Sequence, residues 1–416
     1  MSKKHILFLS ANDFKEKSIQ VLRKTPEAFV NAGWKLTYIV ARDYSTAGNY
    51  YYEKEINIEG VDIIRFPFPF TALRNKVKNH LLQTIITQLA GYLTILKLYS
   101  FAKKELKKNK VDVIYGYEVY GICSSIILRK FGYLKNIKIV SRFQGTWVGK
   151  YLKEKKRLKL LLNFDDVIAL KSKADLSIMT NDGTFGDYAM KKLNSKALHN
   201  LKFWINGVDE QKINESEYQD LTEKYREHKN KLIVLSISRL EEWKRVDRGI
   251  SAISYLVNKL NFTDIVYFII GEGGLRKKYE ELVEAENISN NVIFVGGIPN
   301  TEVKKYLNFA EIFFSTYDLS NVGNPLLEAI RANKIIFTLN NGDTSSWIKH
   351  KENGFIYDIS DELSENMAND LYALQSDNNL KIKIKENIIK TENKKLWTWQ
   401  ERFNAEVKEV EALLKQ

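Results

Sequence analysis

Short apolar runs alternate with longer amphipathic stretches along most of this chain. In the first half, His5–Ser10, Lys35–Val40, Val61–Phe66, Val111–Tyr115, Lys138–Arg142 and Leu176–Met179 read as strands, and Lys202–Ile205 closes the series. A second series follows at Leu232–Ile237, Ile265–Ile270, Val292–Phe294, Ile312–Phe314 and Ile335–Leu339. Between strands the apolar spacing changes to three and four residues, as over Ser18–Ala32 and Thr71–Lys110, which predicts helices. Short buried strands separated by helices form parallel sheets covered on both faces. Two such series predict an α/β chain of two Rossmann-like domains, residues 1–205 and 231–395, with 206–230 as a polar linker that carries a helix. Ligand is expected outside the carboxyl ends of the strands.

Length agrees with that division, because 416 residues exceed what one core supports. His5–Leu9 is too short for the apolar region of a secretion signal and reads as the first strand. The single cysteine, Cys123, excludes an intrachain disulfide and fits a reducing cytoplasm. Leu81–Ala102 has Lys97 as its only charge and is long enough to span a bilayer. Its Gln83, Thr84, Thr87, Gln88, Gly91 and Thr94 recur at helical spacing, however, and predict a mostly buried amphipathic helix.

Charge is unevenly distributed. Residues 1–210 hold 36 Lys and Arg against 19 Asp and Glu, and the remainder holds 28 against 32. The basic excess concentrates at Lys103–Lys110 and at Lys150–Leu162, where basic residues alternate with leucines and Trp147 stands just before. Such a segment can lie on an anionic leaflet. It predicts a cytoplasmic protein held peripherally on the inner face of the plasma membrane. Nucleic acid is not an expected partner, since no helix-turn-helix, zinc or aromatic RNA-binding pattern occurs.

The second half carries the chemistry. Ser320 to Ala329 passes through a Gly323-Asn324-Pro325 turn into Leu326, Leu327 and Glu328, the start of a helix. Free backbone N–H groups there form an anion site, and Glu328 lies near the end of the first turn. Arg239 and Lys244 follow the strand Leu232–Ile237 and can neutralise a diphosphate. Gly271-Glu272-Gly273 follows the next strand and lets backbone approach a ligand. Val292–Pro299 ends in glycines against which a flat base could lie. Together these elements suit a nucleoside diphosphate sugar.

This array resembles the family-4 retaining glycosyltransferases of GT-B fold. The likeness rests on Ser238-Arg239-Leu240 with Lys244, on Gly271 and Gly273, on Val292, Phe294 and Gly296, and on Gly323 to Ala329. Asn206-Gly207-Val208-Asp209 and Asn353-Gly354-Phe355 are similar to two further segments of that family. The resemblance implies that the two domains face each other across a cleft, and that a terminal helix, residues 396–416, crosses back to the first domain. It implies a nucleotide sugar such as a UDP- or GDP-sugar as donor, a surface-glycan or lipid-linked acceptor, no cofactor and no metal. Arg239, Lys244 and Glu328 take the catalytic places, the last toward ribose hydroxyls. Ser320, Asn321, Val322, Gly323, Asn324, Pro325, Leu326 and Leu327 hold phosphate and sugar, with Gly271, Glu272 and Ile298 beside them.

Two positions depart from the family pattern. Ser320 stands where the first of two glutamates is usual, so a hydroxyl replaces a carboxylate, and Asp318 is a nearby substitute. Gln144 stands where a histidine is common. Glutamine cannot act as a base, which suits a front-face reaction in which the leaving phosphate takes the acceptor proton. The acceptor-side candidates are Arg142, Gln144, Gly145, Glu118 and Asn12. The five histidines lack metal-ligand spacing, and no Asp-x-Asp occurs. The other readings are a nucleotide-sugar epimerase of the same fold, and a catalytically degenerate protein that binds sugar nucleotides or anionic surfaces.

Overall fold

The computed structural model describes residues 3–14, 20–44 and 54–415. The chain divides into two compact units, Met1–Ile205 with Gln400–Gln416, and Asn206–Trp399. In the first unit the strands are β1 (His5–Ser10), β2 (Lys35–Arg42), β3 (Val61–Pro67), β4 (Val113–Tyr117), β5 (Lys138–Phe143), β6 (Leu176–Thr180) and β7 (Leu201–Trp204). Its helices are α1 (Gln20–Asn31), α2 (Thr71–Lys76), α3 (His80–Lys108), α4 (Glu118–Lys130), α5 (Val148–Lys153), α6 (Arg157–Leu162), α7 (Phe164–Leu170) and α8 (Gly186–Leu193). The second unit holds α9 (Gln219–Lys224), β8 (Leu232–Ile237), α10 (Val246–Asn258), β9 (Ile265–Ile270), α11 (Arg276–Ala285), β10 (Val292–Gly296), α12 (Asn300–Phe309) and β11 (Ile312–Ser315). It continues with α13 (Asn324–Arg331), β12 (Ile335–Leu339), β13 (Phe355–Tyr357), α14 (Leu363–Ser376) and α15 (Asn378–Lys395). The last helix, α16 (Trp399–Leu413), clusters with the first unit from Gln400 onward.

Both sheets are wholly parallel. The first runs β3-β2-β1-β4-β5-β6-β7 and the second β10-β9-β8-β11-β12-β13. Sequence order reverses at the β1–β4 pair and at the β8–β11 pair. Those reversals are the topological switch points at which open α/β sheets bind ligands. The strands are apolar runs because helices cover both faces; every residue of β1, β4, β6, β9 and β12 is buried. In the second unit, Ile250, Ile253, Ile265, Phe314, Phe337 and Leu371 belong to one such covered layer.

Several local expectations change. The run Val111–Tyr115 forms a strand two residues later, because Val113 pairs with Ile6 of β1 and the ladder continues through Gly116. Thr71–Lys110 is two helices rather than one: Val77 takes extended backbone, and the Asn79 side chain caps α3 by accepting from Leu81 N and Leu82 N. The helix expected over Ser18–Ala32 is described from Gln20, and Ser18 lies outside the described residues. Helix α3 is not mostly buried. Its polar stripe turns inward, where Gln88 donates to Leu162 O at 3.0 Å and Thr94 is fully buried. Leu81, Leu82, Ile85, Leu89, Leu93 and Leu96 are consequently left exposed.

Candidate functional site

The second unit's switch point gathers its chemistry from two loops. After β8, Arg239 is half exposed and pairs with Glu241 at 2.8 Å. The chain then passes through Arg245, in left-handed backbone (φ 48°), into α10. Lys244 precedes that bend. Its ammonium lies 3.9 Å from the Trp243 ring centroid and 3.7 Å from that of Tyr317. Tyr317 belongs to the loop after β11, and its hydroxyl donates to Ile237 O at 2.8 Å. Aromatic faces hold a cation without neutralising it. Burial, with Arg239's charge second, lowers the Lys244 ammonium to about 7. A bound anion would restore its proton.

Helix α13 begins at Gly323 with no side chain capping its first amides, and Pro325 stands in its first turn. The loop before it is built by Asn321. This fully buried amide accepts from Ser315 Oγ (2.7 Å) and Tyr317 N (2.9 Å) and donates to Asn341 Oδ1 (2.8 Å). Asn321 therefore shapes the loop, and its side chain is not available to a donor sugar. Val322, Leu326 and Leu327 are core residues and can offer only backbone. Ser320 is buried, and its hydroxyl accepts from Val322 N at 3.2 Å, which is a turn-capping role. Asp318 is engaged by Arg248 at 2.7 Å and by Arg245 at 3.5 Å, so its charge is already neutralised.

Glu328 differs from these. Among the described residues no hydrogen bond or ion pair reaches its carboxyl, which burial alone raises to about 7. It lines a recess of about 280 Å³ together with Asp209, Asn300, Thr301 and Lys304. Half-buried Ile298 stands two residues before Asn300, at the end of the β10 loop. Carboxylates and hydroxyls around a small recess match a polyhydroxylated ligand. Asn206 reaches the same helix start, donating to Asn324 Oδ1 at 2.9 Å.

The β9 loop brings backbone close. Gly271 has φ +138°, and a Cβ there would meet Ser238 O at 1.8 Å, so no larger residue fits. Glu272 pairs with Arg276 at 2.5 Å. Its backbone carbonyl accepts from Leu240 N at 2.9 Å, which ties the β8 and β9 loops together.

In the first unit, Glu118 opens α4 in left-handed backbone (φ 55°). Its Oε1 accepts from Gln144 N at 2.5 Å, and burial raises its carboxyl to about 7 against the opposing pull of that N–H and of Arg142. The Gln144 side chain donates to the Tyr117 hydroxyl at 2.7 Å and accepts from Thr180 Oγ1 at 3.0 Å. Gly145 packs so tightly on Asp182 that a Cβ would lie 2.2 Å from its Oδ2. Glu118, Gln144 and Gly145 thus meet at neighbouring strand ends, and Asn12 is exposed after β1. Arg142 does not join them. It is 0% exposed, donates to Thr180 Oγ1 at 2.9 Å and lies 4.0 Å from Glu406 of α16. The expectation of a substrate-facing Arg142 is corrected to a core strut, because the arginine's outward charge is met by a helix from the far end of the chain.

Sequence reasoning missed Trp243 and Tyr317, which seat Lys244, and Thr180 and Asp182 in the first unit. The aromatic beside Lys244 was a visible signal; the distant Tyr317 was not. No group of three or more potential metal ligands occurs among the described residues.

Residues 217–391 match the model of the glycosyl transferases group 1 family. The 2-deoxystreptamine N-acetyl-D-glucosaminyltransferase of Niallia circulans is 28% identical over 149 residues, 34% of this chain and 38% of that protein. The poly(ribitol-phosphate) alpha-N-acetylglucosaminyltransferase of Staphylococcus aureus (strain COL) is 28% identical over 183 residues, 42% of this chain and 35% of that protein. The alignments thus span little more than a third of each relative's length. Anabaena HepE, solved with UDP and glucose, superposes with a TM-score of 0.69 at 17% identity, over 98% of this chain and 99% of its own. The likeness shows a shared fold of two Rossmann-like domains, the GT-B architecture.

Proposed function

We propose, from the match of residues 217–391 to the glycosyl transferases group 1 family model, that this chain is a retaining, metal-independent glycosyltransferase. It moves a sugar from a nucleotide-sugar donor to a glycan or lipid-linked acceptor. One observation carries the reading. At the β8–β11 switch point, a cation on two aromatic rings and an uncapped helix start share a unit with the carboxyl of Glu328, which has no partner among the described residues.

In this reading the diphosphate takes its place between Lys244, Arg239 and the first amides of α13. As the bond from sugar to phosphate breaks, charge accumulates on the leaving oxygens, and fixed cations stabilise that state more than the ground state. Arg239 and Lys244 supply the positive charge that a divalent ion would otherwise bring. Glu328 accepts hydrogen bonds from the pentose, and the backbone near Ile298 borders the base. The acceptor belongs to the first unit, near Glu118, Gln144 and Asn12. With Gln144 unable to take a proton, the acceptor proton passes to the departing phosphate, on the face the sugar leaves, which retains the anomeric configuration. Support for a nucleotide donor comes from HepE, which was solved with UDP.

The test is a panel of nucleotides and nucleotide sugars read by thermal shift, since a ligand that binds only the folded state raises the melting temperature. UDP or GDP, with its sugar, should stabilise the wild type and stabilise Lys244→Ala far less. A panel in which no nucleoside diphosphate shifts the wild type removes the proposal.

A further inference from the structure

We infer that the first unit docks on an anionic lipid bilayer through the outward face of α3 and the neighbouring α6 and α7. The inference deepens the reading above by naming the surface on which the acceptor is met.

Helix α3 is the one helix among the described residues long and apolar enough to cross a membrane, yet its geometry sets it along the unit. Ala90, Thr94, Ile95, Leu98 and Ala102 are buried inward. The polar stripe lines a recess of about 420 Å³ with Arg74, Asp165 and Asp166. Those groups leave no inward place for the leucines. Leu81, Leu82, Ile85, Leu89, Leu93 and Leu96 follow at steps of one, three and four residues and form a single exposed stripe, with Leu81 68% exposed. The patch continues onto α6 and α7. Tyr92 of α3 meets Phe164 with ring centroids 5.7 Å apart, and Leu158, Leu161, Leu162, Phe164 and Ile168 are all exposed. An apolar surface of this extent marks an interaction site.

Charge identifies the occupant. Lys153, Lys155, Lys156, Arg157 and Lys159 are exposed around those leucines, and Glu154 is the one acid between Lys150 and Leu162. Leucines that enter the acyl boundary, flanked by lysines that meet anionic headgroups, describe a surface-lying amphipathic element, with each nearby cation contributing about 1 kcal/mol. A second copy of this chain would bring the same positive charge to the contact and be repelled.

Co-sedimentation with phosphatidylglycerol–phosphatidylcholine vesicles, against phosphatidylcholine alone, tests the inference. Wild type should partition onto the anionic vesicles and release as salt rises. Ile85→Glu with Leu89→Glu, at exposed positions that spare the core, should weaken partitioning by about tenfold or more. Lys156→Glu with Lys159→Glu should weaken it comparably and flatten the salt dependence. Thermal shift by UDP reports separately on the second unit. Variants that lose vesicles but keep UDP support the docking face. Absence of wild-type partitioning, partitioning unchanged in both variants, or a dimer that Ile85→Glu with Leu89→Glu dissociates would each overturn it, and none of these outcomes bears on the transferase reading.

Discussion

The two units share an architecture and differ in what their switch points leave unsatisfied. In the first, Glu118 takes the Gln144 amide, Gln144 bridges Tyr117 and Thr180, and Arg142 turns away into the core. In the second, Lys244 rests on rings that cannot neutralise it, and Glu328 has no partner among the described residues. One parallel sheet thus ends in polar groups largely engaged with one another, and the other in groups poised for a charged, hydroxylated ligand. Fold alone does not separate them; polar satisfaction does.

Four experiments press on that contrast, from the largest effect down. Glu406→Ala strands Arg142 and Arg402 in the first unit's core. Although burial pushes the Glu406 carboxyl up, those two guanidiniums hold it below its ordinary value. Losing it should cost about 3–5 kcal/mol, seen by calorimetry as an earlier transition of the first unit while UDP still stabilises the second. An unmoved transition would deny the first unit its dependence on that network. Lys244→Ala should do the reverse: near-normal stability, with turnover down about 10²–10³-fold, or roughly 3–4 kcal/mol. The wild-type lysine should also take up a proton on binding diphosphate above pH 7, read as a buffer-dependent binding enthalpy. Absence of that dependence removes Lys244 from the diphosphate.

Glu328→Gln probes the partnerless carboxyl. A carboxyl raised from 4.5 to about 7 on folding binds more protons in the folded state between those values, so its contribution to stability falls as pH rises through that window. The variant should match wild type near pH 4.5 and exceed it above pH 7 by an amount on the order of 1–3 kcal/mol. Equal melting temperatures across the range would mean the carboxyl is already satisfied. Ser320→Ala is the mildest. As a turn cap its loss should cost about 1 kcal/mol and leave the donor KM within roughly a factor of two. A KM raised tenfold would instead make Ser320 a sugar contact.

The parallel strands were readable because burial on both faces makes each an apolar run, and all twelve strand expectations fall within two residues of an observed strand at each end. Val111–Tyr115 is displaced by two residues at both ends, because apolar Val111 stands ahead of the point where pairing with β1 begins at Val113, and the ladder runs on through Gly116. Strand β13 is three residues long and carries no period of its own. The face of α3 was misread for a different reason. Periodicity locates two stripes but not which of them the rest of the chain covers, and here Asp165 and Asp166 lie on the polar side. At the site, cations, glycines and the helix start were legible as local pattern. Tyr317 beneath Lys244, and Glu406 against Arg142, were not, because 73 and 264 positions of sequence separate the partners.

Helix α16 has one more implication. Its Arg402 and Glu406 complete the core of the unit that begins the chain, yet they are synthesised after the whole of the other unit. Domains usually mature in the order they leave the ribosome. The later unit is assembled from one continuous stretch, residues 206–399, whereas buried Arg142 and Tyr115 of the earlier unit meet their acid, Glu406, only in this last helix.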